Sequence, residues 1–228
     1  MLKDRKRLYN FFLNKTYHEN YSGLSGFFFN LAHKNLEKNI KHQYTKTIEI
    51  GSGQFSHYNF IKNKECINYE MTSDNINDIN ILKKKFKQNK QLKIYKLSIK
   101  EFLKSSFKYD RIILSHVLEH LDDPEKILDK IYKKKLNNNG IISITLPCDP
   151  GLAWDLGRLW QFIKKYKKYG IKKSDYYYFM ATEHINPITN LIRIINFNYK
   201  NIIESYLPFF IKSINFNLMY NVTIFKSV

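Results

Sequence analysis

Cysteine is almost missing from this chain. Cys66 and Cys148 are the only two among 228 residues, and they form no Cys-x-x-Cys pair. This excludes a disulfide framework and a structural zinc knot and points to a reducing, cytoplasmic location. Long apolar runs are lacking too. The basic N-terminal stretch has only Phe11-Phe12-Leu13 as an apolar run, so no signal peptide is expected, and nothing approaches the roughly 18 apolar residues of a membrane span. Acidic residues are few, 20 against 38 Lys and Arg, for a formal charge of +18. That excess suits an anionic partner, whether nucleic acid, a phosphorylated small molecule or a membrane surface. It equally matches a chain rich in Lys, Asn, Ile and Tyr, residues with A/T-rich codons. Glycine is scarce at eight residues, and only Gly51 and Gly53 stand a single position apart.

That glycine pair closes a short apolar strand. Thr47-Ile48-Glu49-Ile50 runs into Gly51-Ser52-Gly53, and a strand that hands over to a helix through Gly-x-Gly leaves bare backbone against which a ligand can lie. Many such turns bind nothing; this one gains weight from the elements C-terminal to it. A second short strand, residues 65–70, ends in Glu70, 19 positions after Gly51, the separation at which a βαβ unit sets a carboxylate beside a ligand ribose. Met71 to Asn75 reads as a turn into a helix. Gln91 to Ile99 alternates apolar and polar residues as a third strand. Tyr109 to Leu114 and Ile141 to Pro147 form a fourth and fifth, separated by a helix with Asp123 as cap and Pro124 at its first position. Alternation with short joints predicts a parallel sheet covered on both sides. The last strands, near residues 200–207 and 218–225, have no helix between them and predict an antiparallel hairpin at the sheet's edge. Residues 1–45 read as an N-terminal helical cap, with Leu8, Phe11 and Phe12 at helical spacing and a polar, aromatic loop from Tyr17 to Gly26. Residues 148–190 read as an aromatic, lysine-rich insertion.

Taken together, these motifs resemble the class I S-adenosylmethionine-dependent methyltransferases. Glu49 to Gly53 match that family's first motif, Glu70 its ribose-binding acid, Tyr109 to Pro124 its fourth-strand motif, and Asn139 to Pro147 its asparagine-glycine block before the fifth strand. The match covers about residues 40–150. It implies an α/β fold over residues 46–228: a Rossmann-like seven-stranded sheet, mostly parallel with a late antiparallel hairpin, and helices on both faces. It also implies an enzyme with S-adenosyl-L-methionine as cofactor. Carried over residue by residue, Glu49, Gly51 and Gly53 surround the methionine end of the cofactor and Glu70 holds its ribose. Met71 packs on the adenine, while Ser115 and His116 line the pocket after the fourth strand. Phe55 stands where many members have a third glycine, and Ser98 where an aspartate often meets the adenine amino group. A dinucleotide enzyme is the competing use of such a fold; it needs a close pyrophosphate cradle, and Phe55 counts against it.

Methyl transfer to a hydroxyl or amine requires a group that takes the acceptor's proton, a role suited to neutral histidine. His184, beside Glu183 in the insertion, and His116, after the fourth strand, are the catalytic candidates. His116, Glu119 and His120 fall at i, i+3 and i+4, one face if the stretch is helical, a set that could bind a metal. The family commonly carries glutamate-histidine here without one, so no metal site is expected, and Glu119 and His120 are expected to hydrogen-bond the loop. The insertion, with Asp149-Pro150-Gly151-Leu152 and Glu183 to Pro187, is more loosely similar to methyltransferases associated with surface-polysaccharide biosynthesis. That resemblance implies an anionic sugar acceptor, nucleotide- or lipid-linked, and leaves peripheral membrane contact open. The alternatives are an RNA methyltransferase, using lysine runs such as residues 164–168 among aromatics but without a recognised RNA-binding module, and a catalytically silent cofactor-binding protein on the same fold.

Overall fold

A computed structural model of the chain describes residues 11, 23–38, 40, 42–64 and 67–227; the expected features at Leu8, Phe12, Tyr17 to Ser22, Glu65 and Cys66 lie outside them. Helix α1 (Gly23–Lys38) precedes strand β1 (Lys46–Ile50). Strands β2 (Asn68–Ser73) and β3 (Lys93–Lys96) flank helix α2 (Ile76–Lys85), and α3 (Ile99–Lys104) leads to β4 (Tyr109–Ser115). Helix α4 (Pro124–Lys130), continued by a π turn, joins β4 to β5 (Leu136–Pro147). The insertion folds as α5 (Leu152–Gln161), which runs on through wider and tighter turns to Tyr169, and α6 (Lys173–Glu183). Helix α7 (Ile188–Asn198) and the hairpin β6 (Ile202–Leu207) and β7 (Met219–Phe225) complete the fold. Among the described residues no helix is long and apolar enough to cross a membrane.

The sheet has seven strands in the order β3-β2-β1-β4-β5-β7-β6. β1 to β5 are parallel, while β7 runs antiparallel to both β5 and β6, as the run of motifs and the helix-free C-terminus predict. The strand order reverses between β1 and β4, and at such a switch point the connections diverge to opposite faces and leave a crevice at the carboxyl edge. The sheet is covered by a large core built on Ile112, Leu114, Ile142 and Ile144 with Leu191 and Ile195 of α7, and by a smaller one of Tyr58, Tyr69, Met71, Leu82 and Ile113. The expected helix start at Asp123 and Pro124 is present, with the Asp123 carboxylate accepting from the Lys126 amide at 3.1 Å.

Two local expectations are corrected, and one condition left open is decided. The helix after the glycine turn is a single 3-10 turn, His57–Phe60. β2 does not end at Glu70 but runs to Ser73, because Met71 pairs with Glu49 of β1 and Ser73 with Lys96 of β3. The stretch from His116 to His120 is not a helix: His116 has φ +55°, and only Leu118–His120 form a 3-10 turn.

Helix α1 is tied to this sheet by buried charge. The Glu37 carboxylate lies 2.6 Å from Arg111 Nη1 of β4 and 2.7 Å from His57 Nε2, and the Nδ1 atoms of His57 and His33 are 2.7 Å apart. A carboxylate only accepts, so His57 carries its proton on Nε2, and His33 donates from Nδ1 to the bare Nδ1 of His57. Burial first, then neighbouring positive charge, holds His33 well below its ordinary range; burial likewise lowers His57, outweighing Glu37. Burial alone would raise Glu37, but His57 and Arg111 hold it below the ordinary carboxylate range. All three shifts have the same sign: the unfolded chain binds more protons on acidification. Stability is therefore full above the unfolded histidine pKa of about 6.5 and falls as pH drops, with a further loss below about 4.3 as Glu37 protonates. Thermal melts between pH 8 and 4 should show this decline. Arg111→Met, which strands the Glu37 charge, should destabilise the protein by about 3–5 kcal/mol in urea melts at pH 7.5.

Candidate active site

A cleft of about 880 Å3 opens at the carboxyl edge of β1, β2 and β4, with α1, α5 and α6 forming its far walls. Its floor is the glycine loop. Gly51 and Gly53 have φ of +71° and +54°, and a Cβ on Gly51 would stand 2.9 Å from Val117 Cγ2. The loop is anchored from beneath by Glu49, whose carboxylate is shut off from water and accepts from Ser56 Oγ (2.6 Å), the His57 amide (2.9 Å) and Tyr69 Oη (2.8 Å). Above it, the Ser52 amide donates to the Thr72 carbonyl at 2.8 Å. Glu49 thus shapes the loop and does not line the cleft. Phe55, in the position of a missing third glycine, turns away from the cleft to pack against His33 and Phe60.

Of the other residues expected at the cofactor, Gly51, Gly53, Ser98 and His116 line the cleft; Glu70, Met71 and Ser115 do not. Glu70 sits mid-strand, paired with Ile48, and its carboxylate accepts from Tyr95 Oη at 2.5 Å and Tyr109 Oη at 2.9 Å. Met71 is wholly buried in the smaller core. Because β2 extends past Glu70, the acids at its carboxyl end are Asp74, just beyond the strand, and Asp78, both on the cleft wall. Asp78 accepts from Gln54 Nε2 at 3.1 Å and Ser73 Oγ at 3.3 Å, yet burial raises its pKa. Ser98 caps α3, its hydroxyl donating to Glu101 Oε2 at 2.7 Å, and lies between Leu97 and Ile99 in the wall.

The insertion supplies the opposite wall. Asn186 Nδ2 donates to the Leu118 and Leu121 carbonyls (3.0 and 2.6 Å), and its amide donates to the Glu119 carbonyl (3.1 Å). These bonds bring the Glu183–His184 stretch against the loop after β4. His184 Nδ1 lies 2.7 Å from Asp149 Oδ2, which Arg158 also holds. Burial would raise the Asp149 pKa, but His184 and Arg158 outweigh it and keep the carboxyl below its ordinary range. His120 Nδ1 lies 2.6 Å from the Glu183 carbonyl, and Glu183 lines the cleft beside His184. His116 Nδ1 is 3.1 Å from Glu119 Oε1, and its ring packs on Phe29. Glu119 is fully buried; burial acts to raise its pKa, but the surrounding histidines hold it low. Glu119, His120 and His184 each offer an atom within 4.8 Å of the others. Several buried polar atoms around the cleft have no partner: Ser52 Oγ, His116 Nε2, Glu119 Oε2 and Trp154 Nε1. Tyr176 is buried against Tyr166 and Phe162 in the cleft wall, whereas Tyr178 is exposed. No sequence motif marks Asp149 or Asp74 as a site residue; their one signal is position, since each follows the carboxyl end of a strand.

Residues 32–191, more than half of the chain, match the family described as a methyltransferase domain. No curated protein matches the chain in sequence. Among solved structures, the plantazolicin methyltransferase BpumL, in complex with a triazolic desmethylPZN analog and SAH, is 12% identical; the alignment covers 99% of this chain and 96% of that one, with a TM-score of 0.67. The N-methyltransferase NodS from Bradyrhizobium japonicum WM9 is 12% identical over 88% of this chain and 97% of its own, with a TM-score of 0.59. The CurJ carbon methyltransferase is 13% identical over 91% of this chain, which spans 57% of the CurJ chain, with a TM-score of 0.63. The chain belongs to the methyltransferase family, the S-adenosylmethionine-dependent enzymes of this fold. The cleft fits that cofactor: bare glycine backbone at Gly51 and Gly53, the carboxylates of Asp74 and Asp78 beyond the end of β2, and the apolar side chains of Leu97 and Ile99 in the wall.

Gly51→Ala should lower stability by about 1–2 kcal/mol from the left-handed backbone alone. Adding Val117→Ala should recover only the steric part of the loss, read from urea melts of the single and double variants.

Proposed function

We propose that the protein methylates an oxygen or nitrogen of a sugar acceptor, nucleotide- or lipid-linked, in surface-glycan biosynthesis, with residues 1–45 and the insertion serving as the cap over the acceptor. The observation that carries this reading is the continuity of one cleft, from the glycine loop and Asp74 on one side to the Asp149–His184 pair on the other. S-adenosylmethionine, when bound, supplies a methyl group on a sulfonium whose departure leaves a neutral thioether, so the protein's share of the work is alignment, exclusion of water and handling of one proton.

On this reading Asp74 accepts from the ribose hydroxyls, and Gly51 and Gly53 let the methionine end lie on backbone. Asp149 accepts from Nδ1–H of His184, which fixes the tautomer and leaves Nε2 with its lone pair toward the acceptor. His184 Nε2 then takes the proton of the acceptor's hydroxyl or amine as the methyl carbon is attacked. Trp154 and Trp160, both on the wall, offer flat apolar faces suited to a sugar ring, and the Trp154 indole N–H is an unused buried donor. The sugar class is supported by the similarity of the insertion to glycan-associated methyltransferases, and an anionic carrier by the net charge of +18.

Calorimetry should show S-adenosylmethionine binding that Asp74→Asn weakens about tenfold and Glu70→Gln leaves within twofold, since Glu70 faces Tyr95 and Tyr109 and not the cleft; the reverse ranking would return the ribose to Glu70. His184→Ala should keep cofactor affinity while kcat on an activated sugar falls roughly 10²–10⁴-fold. Near-normal turnover would remove His184 from the chemistry.

A further inference from the structure

We propose that Glu119, His120 and His184 form a binding site for one divalent transition-metal ion in the wall of the cleft. Hydrogen-bond partners fix the protons. The Glu183 carbonyl can only accept, so the 2.6 Å contact with His120 places a hydrogen on His120 Nδ1 and leaves Nε2 bare in the neutral ring. The Asp149 carboxylate does the same for His184 through its 2.7 Å contact. The third member, Glu119, is fully buried and keeps one carboxylate oxygen, Oε2, without any hydrogen-bond partner. Ligand atoms of the three residues lie within 4.8 Å of one another, and His120 Nε2 is 3.9 Å from Glu119 Oε1. His116 Nδ1 donates to Glu119 Oε1 at 3.1 Å, which leaves Oε2 and the two imidazole Nε2 lone pairs uncommitted, so the three residues can share one cation. Each histidine also donates its other N–H to a carbonyl or carboxylate, which is how metal-bound imidazoles are usually oriented.

The donor set selects the ion. Two imidazole nitrogens and one carboxylate suit Zn2+, Mn2+, Fe2+ or Co2+ better than Ca2+ or Mg2+, which favour oxygen. Three protein ligands leave a coordination position open, and since His120 and His184 both line the cleft, the open side faces the acceptor. The metal's role rests on the function proposed above. With the ion bound, His184 becomes a ligand and the ion takes over the activation of the acceptor hydroxyl. The hydroxyl's proton leaves to solvent, the oxygen forms its bond to the methyl carbon, and the C–S electron pair returns to sulfur.

The test uses full-length protein stripped with EDTA, titrated with Co2+ and followed by its visible d–d absorption, with Zn2+ calorimetry in parallel. Intense bands of low-coordinate cobalt and one-to-one Zn2+ binding are expected. Glu119→Gln and His120→Ala should weaken Zn2+ binding by more than about tenfold, and Asp149→Asn by about 10–100-fold through the loss of the His184 orientation. Circular dichroism and S-adenosylmethionine binding report whether each variant is folded. A cobalt spectrum no different from the aqueous ion, or equal Zn2+ binding by wild type and folded Glu119→Gln, would overturn the site. Wild type that binds S-adenosylmethionine but no metal defeats this inference alone. Wild type that binds metal but not S-adenosylmethionine upholds the site and defeats the function on which its role was built.

Discussion

One carboxylate without access to water organises this molecule. Glu49 sits in the middle of the sheet's floor and is tolerable there only because Ser56, the His57 amide and Tyr69 all donate to it; a buried charge left short of donors would cost several kcal/mol. Satisfying it forces the chain after Gly53 into a tight return, and the return delivers His57 to the far side of the loop. There His57 meets Glu37, and Glu37 meets Arg111. One chain of buried hydrogen bonds therefore runs from beneath the cofactor loop to helix α1, which closes the cleft from above. The floor and the wall are set by the same network, so the width of the cleft is not free to drift.

The acceptor side obeys a different logic. It is built from loops, and loops carry function where a rigid scaffold holds them. Asn186 stitches the end of α6 to the turn after β4 through carbonyl groups that no helix or strand uses. With that seam closed, Asp149 from the end of β5, His184 from the insertion and His120 from the turn after β4 come into one place. Each histidine is held through Nδ1 by an oxygen, so both imidazoles have a defined tautomer before any ligand arrives. Preorganisation of this kind matters for methyl transfer, where the leaving group is already good and alignment dominates the barrier.

Much of the scaffold was readable in advance because it depends on short-range rules. The strand into Gly51-Ser52-Gly53, the Asp123-Pro124 cap and the helix-free final pair of strands are local signals, and the sheet topology follows from their order. The errors arose where a neighbour overrode a local signal. Polar residues Thr72 and Ser73 look like a turn, but edge pairing with Lys96 keeps them in β2, and that extension moves the end-of-strand acid from Glu70 to Asp74. Phe55 looks like an obstruction where a glycine is usual, yet it finds an aromatic niche between His33 and Phe60 that helix α1 brings to it. His116 to His120 has helical spacing, but a left-handed His116 breaks the helix before it starts.

By itself, the order of residues determined the class of fold, the position of the crevice and the glycine loop, since hydrophobic period, caps and turn residues act over a few positions. What only the tertiary structure decided was which side chains face that crevice. Glu119 and His184 are far apart in the chain, as are Glu37 and Arg111, and no periodicity links them. Their meeting is set by how the insertion and α1 pack on the sheet, where buried donors and acceptors must find one another because water is no longer there to satisfy them.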